Sequence, residues 1–472
     1  MKESRGKYLF KNTLIFSIGN IGSRVITFFL IPLYTNILQT SEYGIADLIT
    51  TICILLASLF TLNISESIMR FELDKESNKN EILKIGVRIL EFSIIIGALI
   101  IPVYKVFYPL EKYSIYIFLY IIAIEAGQIF LCDLRGKELL VQYSIGNILL
   151  TLLTAILNIY FLIVLKRGVE GYLSAYIIAN FSTAIYAAIA GKTFFTLFQV
   201  KFNWIKFKEM IKYSAVLIPN TFMWWIMNSS DRIMVTAMVG SSANGIYAIS
   251  YKLPTLVSTI TGIFNQAWSY SAIREEGTSD ENEYNNKIFK SLISISILLG
   301  IGILVIIKPF LRFCVEKSYY EAWKYTPFLV VGCVYLTMGT FMSTSYTVHK
   351  DSLGFLISAT IGAITNIGLN YLLIPIWNVY GAAFATCISY VVVFVFRYFH
   401  TRKYIKYSIK NYEFIMGSLL LIVSSIFLYV ENLIGFISQM VILLVAIVLY
   451  SSSWMCMLKK YKFCFFKGEH HE

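Results

Sequence analysis

The sequence is poor in charge. Only 14% of its 472 residues are Asp, Glu, Lys or Arg, whereas 57% are hydrophobic. Soluble domains carry about 25% charged residues, and a single soluble core stops growing at about 250–300 residues. The composition therefore excludes one soluble globular domain and predicts an integral membrane protein.

Residue patterns for metal binding, redox chemistry and nucleotide hydrolysis are also missing. The seven cysteines are scattered without a C-x-x-C pair, and the four histidines form no cluster with them. We expect no disulfide framework, no metal site and no cofactor. The sequence has no P-loop, and the loops predicted to lie outside the cell are short and lack a D-x-D pattern. These absences predict a protein that is not an enzyme.

What the chain does have is a series of apolar runs of helix length. A transmembrane helix needs about 20 apolar residues, whereas a barrel strand needs about half as many in alternation. The first run is too long for a signal peptide and lacks a small-residue cleavage pattern. Fourteen runs fit helices, near 11–37, 45–69, 82–106, 114–134, 140–165, 169–191, 211–238, 243–272, 288–311, 325–348, 353–375, 378–400, 411–430 and 433–457. The predicted fold class is an all-α polytopic membrane protein with about 14 transmembrane helices.

The basic residues lie mostly on one side of these runs. With the N-terminus in the cytoplasm, 28 of the 40 Lys and Arg fall in cytoplasmic segments and 8 in outside loops. This bias follows the positive-inside rule and predicts both termini in the cytoplasm. Membrane orientation, and not nucleic-acid binding, therefore explains the net charge of +12.

Two pairs of motifs indicate an internal repeat. "SEYGIADLI" after the first helix resembles "SANGIYAISYKL" after the seventh, and their glycines, Gly44 and Gly245, lie 201 positions apart. A second match places Asn158 and Asn370 212 positions apart. Two parallel six-helix repeats are therefore predicted, because six crossings return the chain to the same side. The predicted units are an N-lobe at 1–205, a C-lobe at 206–402, and two C-terminal helices with a tail at 403–472.

At these motifs the chain resembles a known family. Besides "SEYG", the resemblance rests on "IPN" at 218–220, "DRIM" at 231–234 and "LNYLLIPIWNVYGAAFAT" at 369–386. The chain is similar to the polysaccharide-transporter branch of the multidrug/oligosaccharidyl-lipid/polysaccharide exporter superfamily, whose members flip O-antigen and capsule repeat units. The match covers residues 9–400 in order.

The resemblance implies a V-shaped, two-lobed carrier in the bacterial cytoplasmic membrane. It would move an undecaprenyl-diphosphate-linked oligosaccharide from the inner to the outer leaflet for surface polysaccharide synthesis. A polysaccharide polymerase and chain-length proteins are further partners to consider. A lipid II-type flippase and a MATE-type antiporter for small cations are the alternatives, and fourteen helices favour a lipid-linked substrate. Membrane potential, H⁺ and Na⁺ all remain open as energy sources.

Two basic residues lie within the predicted helices. Charged residues inside a membrane are rare and usually face a cavity, so these two cations predict a cavity that binds an anionic ligand. Arg24 lies 13 residues past Lys11, roughly 20 Å into the first helix. It either contacts substrate, pairs with an acid on another helix, or snorkels outward. Lys252 directly precedes Pro254, which predicts a broken helix with Lys252 either in the cavity or at the interface. Pro32, Pro219 and Pro375 predict similar breaks.

Other polar and aromatic residues complete the candidate site. Glu125, the deepest acid, either partners Arg24 or titrates as a coupling group. Trp224, Asn265 and Gln266 offer stacking and hydrogen bonding to sugars, although interfacial anchoring is the alternative for any aromatic residue. Candidates for gates or structural ion pairs are three close-set charged pairs: Asp231 with Arg232, Glu66 with Arg70, and Arg88 with Glu91.

Overall fold

Helices form all the regular structure that the computed structural model describes. The described residues are 26, 28–74, 77–104, 110–193, 200–274, 277–278, 281–409 and 412–467. The helices are α1 Phe28–Ile37, α2 Thr40–Phe60, α3 Ile64–Glu72, α4 Lys79–Tyr104, α5 Ser114–Gly136, α6 Leu140–Ile159, α7 Gly168–Ala190, α8 Trp204–Met238, α9 Ser241–Ser250, α10 Pro254–Arg274, α11 Glu281–Cys314, α12 Thr326–Val348, α13 Ser352–Trp377, α14 Val379–His400, α15 Tyr412–Phe427 and α16 Leu433–Lys467.

The predicted fold class is confirmed. Within the described ranges, nine helical segments are long and apolar enough to cross a membrane. Each of the fourteen predicted ranges overlaps at least one helix, since hydrophobic runs of this length form helices whose backbone hydrogen bonds are satisfied internally. The number of spans, fourteen, stays a prediction.

The chain divides into two compact units. The first consists of Met1–Trp225 with Val235–Ile246, and the second of Ile226–Met234 with Tyr247–Glu472. The long helix α8 therefore contributes its first part to one unit and most of its last part to the other. The sequence predicted this boundary at 205, within the first turn of this helix.

Two of the predicted helices are interrupted by a turn. The run 45–69 is split after Phe60, and Leu62 and Asn63 of the turn have positive φ angles of 51° and 57°. The run 243–272 is split at Tyr251–Leu253, and Pro254 begins the next helix. Proline suits this position because the first residues of a helix have no backbone acceptor.

The breaks predicted at three other prolines are wrong. Pro32 lies inside α1, Pro219 inside α8 and Pro375 inside α13, and all three helices continue past the proline. Proline removes one backbone donor, but transmembrane helices tolerate it where neighbouring groups satisfy the freed carbonyl.

The first pair of repeat glycines lies at one close helix crossing. A Cβ on Gly44 would lie 1.9 Å from the Ser241 carbonyl oxygen, and one on Gly245 would lie 2.0 Å from that of Thr40. Asn244 Nδ2 donates to the Gly44 carbonyl at 2.8 Å. The "SEYG" and "SANG" motifs are therefore the contact by which α2 and α9 pack backbone to backbone, as small residues allow in membranes.

The two asparagines of the second repeat pair are buried, one in each unit. Asn158 and Asn370 are both fully buried. Each donates to a residue four positions earlier, Asn158 to the Thr154 carbonyl at 2.8 Å and Asn370 to Asn366 Oδ1 at 2.9 Å. These asparagines bind within their own helices, and the duplication inferred from sequence stays a prediction.

An apolar cluster holds one end of the first unit together. Ile64 and Ile68 of α3, Ile82 of α4 and Ile129 of α5 are all buried, and Met210 of α8 packs among them. Ser67 Oγ also donates to the Met210 carbonyl at 2.8 Å. The start of α8 is thereby fixed to the first unit.

Candidate functional site

For two of the predicted site residues the structure describes either no part of the residue or no side chain. Arg24 is not among the described residues. Gln266 lies on α10, but its side chain is not described. The role of each stays a prediction.

Glu125 is a buried acid in the first unit. The residue is only 1% exposed, at the middle of α5. Ser93 of α4 places its hydroxyl 2.7 Å and 2.6 Å from the two carboxyl oxygens. A carboxyl group held this way is shielded from water and has a hydroxyl partner, whichever of its two predicted roles applies.

Asn63 lies in the turn between α2 and α3 and contacts α8. Asn63 adopts the left-handed conformation, which asparagine tolerates better than most residues. Its Nδ2 donates to Thr221 Oγ1 of α8 at 2.8 Å. On the short helix that follows, Glu66 and Arg70 are both exposed, and no ion pair joins them in the described part of the chain. The predicted i,i+4 pair is therefore absent from this structure.

Arg88 and Glu91 do form an ion pair on α4. Arg88 Nη1 lies 2.5 Å from Glu91 Oε2, and both side chains are about half exposed, at 52% and 51%. Exposed pairs of this kind contribute about 0–1 kcal/mol. The contact is local to one helix.

The two tryptophans of α8 differ in their surroundings. Trp225 is anchored, because its Nε1 donates to the Thr51 carbonyl of α2 at 3.1 Å. Trp224, the predicted stacking residue, is partly exposed. Trp225 is thus fixed by a hydrogen bond, and Trp224 keeps part of its surface exposed.

In the second unit, Asp231 is the centre of a buried hydrogen-bond network. It is fully buried on α8. Its Oδ2 accepts from Tyr247 at 2.6 Å, from Tyr251 at 2.9 Å and from Thr386 at 3.0 Å. Its Oδ1 accepts from the backbone N–H of Arg232 at 2.9 Å. Four donors from three segments surround this carboxylate.

The network extends along α13. Asn366 Nδ2 donates to Thr386 Oγ1 at 3.2 Å, and Ser230 Oγ donates to Asn366 Oδ1 at 3.0 Å. Asn370 joins through Asn366, as described above. Tyr247, Asn370 and Thr386 all lie in the sequence motifs described above, but the sequence predicted no role in a site for them. The feature that could have identified them is a polar side chain in an otherwise apolar motif, "GIYAISY" or "LNYLL…FAT".

Of the remaining candidates, Arg232 and Lys252 lie near the break between α9 and α10, and Asn265 lies further along α10. Arg232 places its guanidinium 5.4 Å from the centre of the Tyr251 ring. Lys252 lies in the turn itself and is partly exposed. Asn265 on α10 is 9% exposed. The break therefore brings Lys252 next to a tyrosine of the Asp231 network.

Within the described residues, no group of His, Cys, Asp and Glu is arranged to hold a metal ion. Instead, Glu125 in the first unit and Asp231 in the second are buried acids that contact hydroxyl groups inside a bundle of apolar helices. Buried polar groups of this kind in a membrane are expensive to maintain and mark sites of function. Fold and site together define a multi-pass helical membrane protein with polar residues buried in both of its units.

Comparison with known proteins identifies the family. The profile of a family described as "Polysaccharide biosynthesis protein" matches residues 9–270. The chain belongs to this family, which confirms the resemblance found in the sequence. No curated protein sequence matches the chain.

Solved structures of transporters share the fold. The lipid II flippase MurJ in an inward closed conformation has a TM-score of 0.67 at 16% identity, over 94% of this chain and 99% of that one. An inward-facing multidrug resistance MATE family transporter of the MOP superfamily also has a TM-score of 0.67, at 14% identity, over 82% of this chain and 97% of that one. A MOP superfamily transporter from Pyrococcus furiosus has a TM-score of 0.59 at 15% identity, over 85% and 98%.

Proposed function

We propose that the protein is a flippase for a polyprenyl-diphosphate-linked oligosaccharide. It would carry this lipid from the inner to the outer leaflet of a bacterial cytoplasmic membrane, with both of its own termini in the cytoplasm. Surface polysaccharide synthesis is the process it would serve, beside a polymerase and chain-length proteins.

The observation that carries the proposal is the family together with the extent of the fold. The family is one of polysaccharide biosynthesis. The fold likeness to the lipid II flippase extends over 94% of this chain, whereas the likeness to the MATE transporter extends over 82%. A lipid-linked substrate is therefore favoured over a small drug.

The chemistry of such a substrate explains the predicted cations. A diphosphate cannot cross hydrocarbon unassisted, since burying an unpaired ion is very costly. Arg24 and Lys252 would replace the water around the diphosphate, and arginine can bind phosphate through two parallel hydrogen bonds. The polyprenyl tail would stay in lipid.

The membrane potential would supply direction. With the cell interior negative, an anion moved outward gains about 2.3 kcal/mol per charge for each 100 mV that it crosses. Exchange against H⁺ or Na⁺ is the other proposed source of energy.

Substitution of the two cations tests this proposal. In cells that depend on this chain for surface polysaccharide, we expect R24A and K252A each to reduce display at least tenfold, with the protein still present in the membrane. Matched controls are R402A and K324A, since Arg402 is exposed and Lys324 pairs with Glu321 on the surface. Normal display in both R24A and K252A would refute the role of these cations.

A further inference from the structure

A second buried acidic site lies in the first unit, away from Glu125. Glu72 is the last residue of α3, and Asp133 lies near the end of α5. Both are fully buried. Their carboxyl groups are close enough to share a hydrogen bond if one of them carries a proton. None of the roles proposed above uses this pair.

Two glycines make room for these carboxyl groups. A Cβ on Gly136 would lie 2.6 Å from Glu72 Oε2, and a Cβ on Gly191 would lie 2.8 Å from Asp133 Oδ2. The acids therefore pack directly on the backbone where α5 and α7 end.

The two acids differ in their partners. Lys137 Nζ lies 2.8 Å and 3.0 Å from the two oxygens of Asp133, and it also donates to the Gly191 carbonyl at 3.3 Å. Asp133 is thus held as a carboxylate by an ammonium group. In contrast, neither carboxyl oxygen of Glu72 meets a hydrogen-bond donor in the described part of the chain.

The other charged groups nearby do not supply that donor. Lys79 of α4 is the next lysine, but its Nζ donates to the Gly136 carbonyl at 3.3 Å. Arg135 of α5 turns its guanidinium toward the ring of Tyr143, 5.7 Å away. Glu66 of α3 is exposed, and Cys132 of α5 is a free thiol. An ionised Glu72 would therefore be buried without a contacting partner and without water to replace it, which is unfavourable.

We propose that Glu72 and Asp133 form a proton-binding site, which holds one proton on Glu72 at neutral pH. The protonated Glu72 donates its hydrogen to the carboxylate of Asp133, which Lys137 holds from the other side. This arrangement satisfies the buried carboxyl group of Glu72 and leaves a single negative charge opposite a single contacting lysine.

The position of the site at the ends of helices allows the proton to be released to water. The pair lies where α3, α5 and α7 end and α4 begins. Any movement that separates α3 from α5 or admits water removes the acceptor of the Glu72 proton and stabilises the ionised form, so that the proton passes to water. Release during a transport cycle is a second step, which rests on the proposed transport function.

Infrared spectroscopy of the full chain in lipid nanodiscs tests the site directly. The wild-type spectrum minus that of E72Q at pH 7 should contain the carbonyl band of a protonated carboxylic acid, and E209Q, at an exposed residue, should remove none. Carboxylate bands in the E72Q difference, with no protonated carbonyl, would overturn the proposal. If E72Q does not fold, the E125Q variant is labelled with ¹³C-glutamate. Glu72 is then the one buried Glu left among the described residues, and a protonated carbonyl band that shifts with the label is assigned to it.

Thermal unfolding gives an independent outcome. E72Q should melt within about one degree of the wild type at pH 7, because its neutral amide still donates to Asp133, whereas D133N should melt several degrees lower. A melting temperature of E72Q well above that of the wild type would mean that Glu72 is ionised, because the amide would then remove an unpaired buried charge, against the proposal.

The release step is tested separately from the proposed cargo. In proteoliposomes, a pH gradient should accelerate flipping of a polyprenyl-diphosphate oligosaccharide by the wild type but not by E72Q. Equal acceleration of both proteins would overturn the release step. Absence of flipping in both would refute the proposed function, while the infrared result would still decide the proton site.

Discussion

Arg397 shows how single residues hold a charge inside this helix bundle. Its side chain is fully buried. Nε donates to Ser358 Oγ and Nη1 to the Gly339 carbonyl, both at 3.0 Å, and the guanidinium lies 5.4 Å from the centre of the Phe355 ring. In the structure the arginine reaches back from α14 and joins α12 to α13, since a buried charge must be hydrogen-bonded.

Asp351 is the clearest charged group outside the spans. It precedes α13 and accepts hydrogen bonds from Lys403 at 2.9 Å, from the Gly354 backbone N–H at 2.8 Å and from Tyr404 at 3.0 Å. The bond from Lys403 contributes most to lowering the pKa of Asp351 to about 2, followed by the helix-capping N–H. One side chain thus caps α13 and fixes the segment that follows α14.

We expect Asp351 to stabilise the protein in a pH-dependent way. An unfolded aspartate has a pKa of about 3.9, so the stabilisation is complete above pH 4 and is lost as the pH falls toward about 2. D351N should therefore lower the melting temperature at pH 7, and the difference from the wild type should shrink below pH 4. Thermal unfolding in a pH series measures this. D74N, at an exposed aspartate, is the control, and a D351N effect of equal size at pH 7 and pH 2 would contradict the assignment.

At the scale of helices, close crossings depend on residues that lack a side chain. At Gly44 and Gly245 the helices α2 and α9 approach so closely that a methyl group would overlap a backbone carbonyl. In lipid, helices gain no hydrophobic driving force from association, so tight packing and interhelical hydrogen bonds must hold them. The Asn244 bond to the Gly44 carbonyl supplies one of these.

Alanine at either glycine should separate the two helices. Overpacking a well-packed site costs about 1–3 kcal/mol, and the obstacle at this crossing is backbone that cannot rotate away. We expect G44A and G245A each to lower the melting temperature of the purified protein and the yield of folded chain.

Gly368 is the matched control, because a Cβ at this position meets nothing within 4 Å. G368A should melt like the wild type. If G44A and G245A also melt like the wild type, the crossing is looser than the structure shows.

The sequence predicts helices well and their interruptions poorly. Every predicted apolar range overlaps a helix, because hydrophobic runs of this length have one stable backbone conformation in lipid. The turn at Thr61–Asn63 was missed because Leu62 continues the apolar pattern. Pro219 and Pro375 were misassigned for the opposite reason, since proline breaks a helix only where its freed carbonyl has no other partner.

The candidate site was only partly predictable for a related reason. Asp231 stood out as a charge in a transmembrane run, but its partner Thr386 lies 155 positions away in sequence. Glu72 and Asp133 lie at the ends of helices, where acids usually reach water, and only the three-dimensional packing shows that they are buried. Contacts between distant helices decide such roles, and a single sequence does not contain them.

At the scale of the whole molecule, family and fold support one task. The chain belongs to a polysaccharide biosynthesis family and shares its fold with transporters over most of its length. Both of its units bury acids among hydroxyl groups, and the basic residues are concentrated in segments predicted to lie in the cytoplasm. A carrier that moves an anionic lipid-linked sugar outward is therefore the function that we propose.

Reconstitution tests this central claim most directly. The purified chain in liposomes would be given a fluorescent polyprenyl-diphosphate oligosaccharide, and a membrane-impermeant quencher would report the leaflet in which the label lies. Lipid II and a small fluorescent cation serve as competing substrates. We predict that the oligosaccharide lipid changes leaflet at least tenfold faster than in protein-free liposomes and faster than either competitor. Movement no faster than in protein-free liposomes, with the cation or lipid II transported instead, would contradict the account.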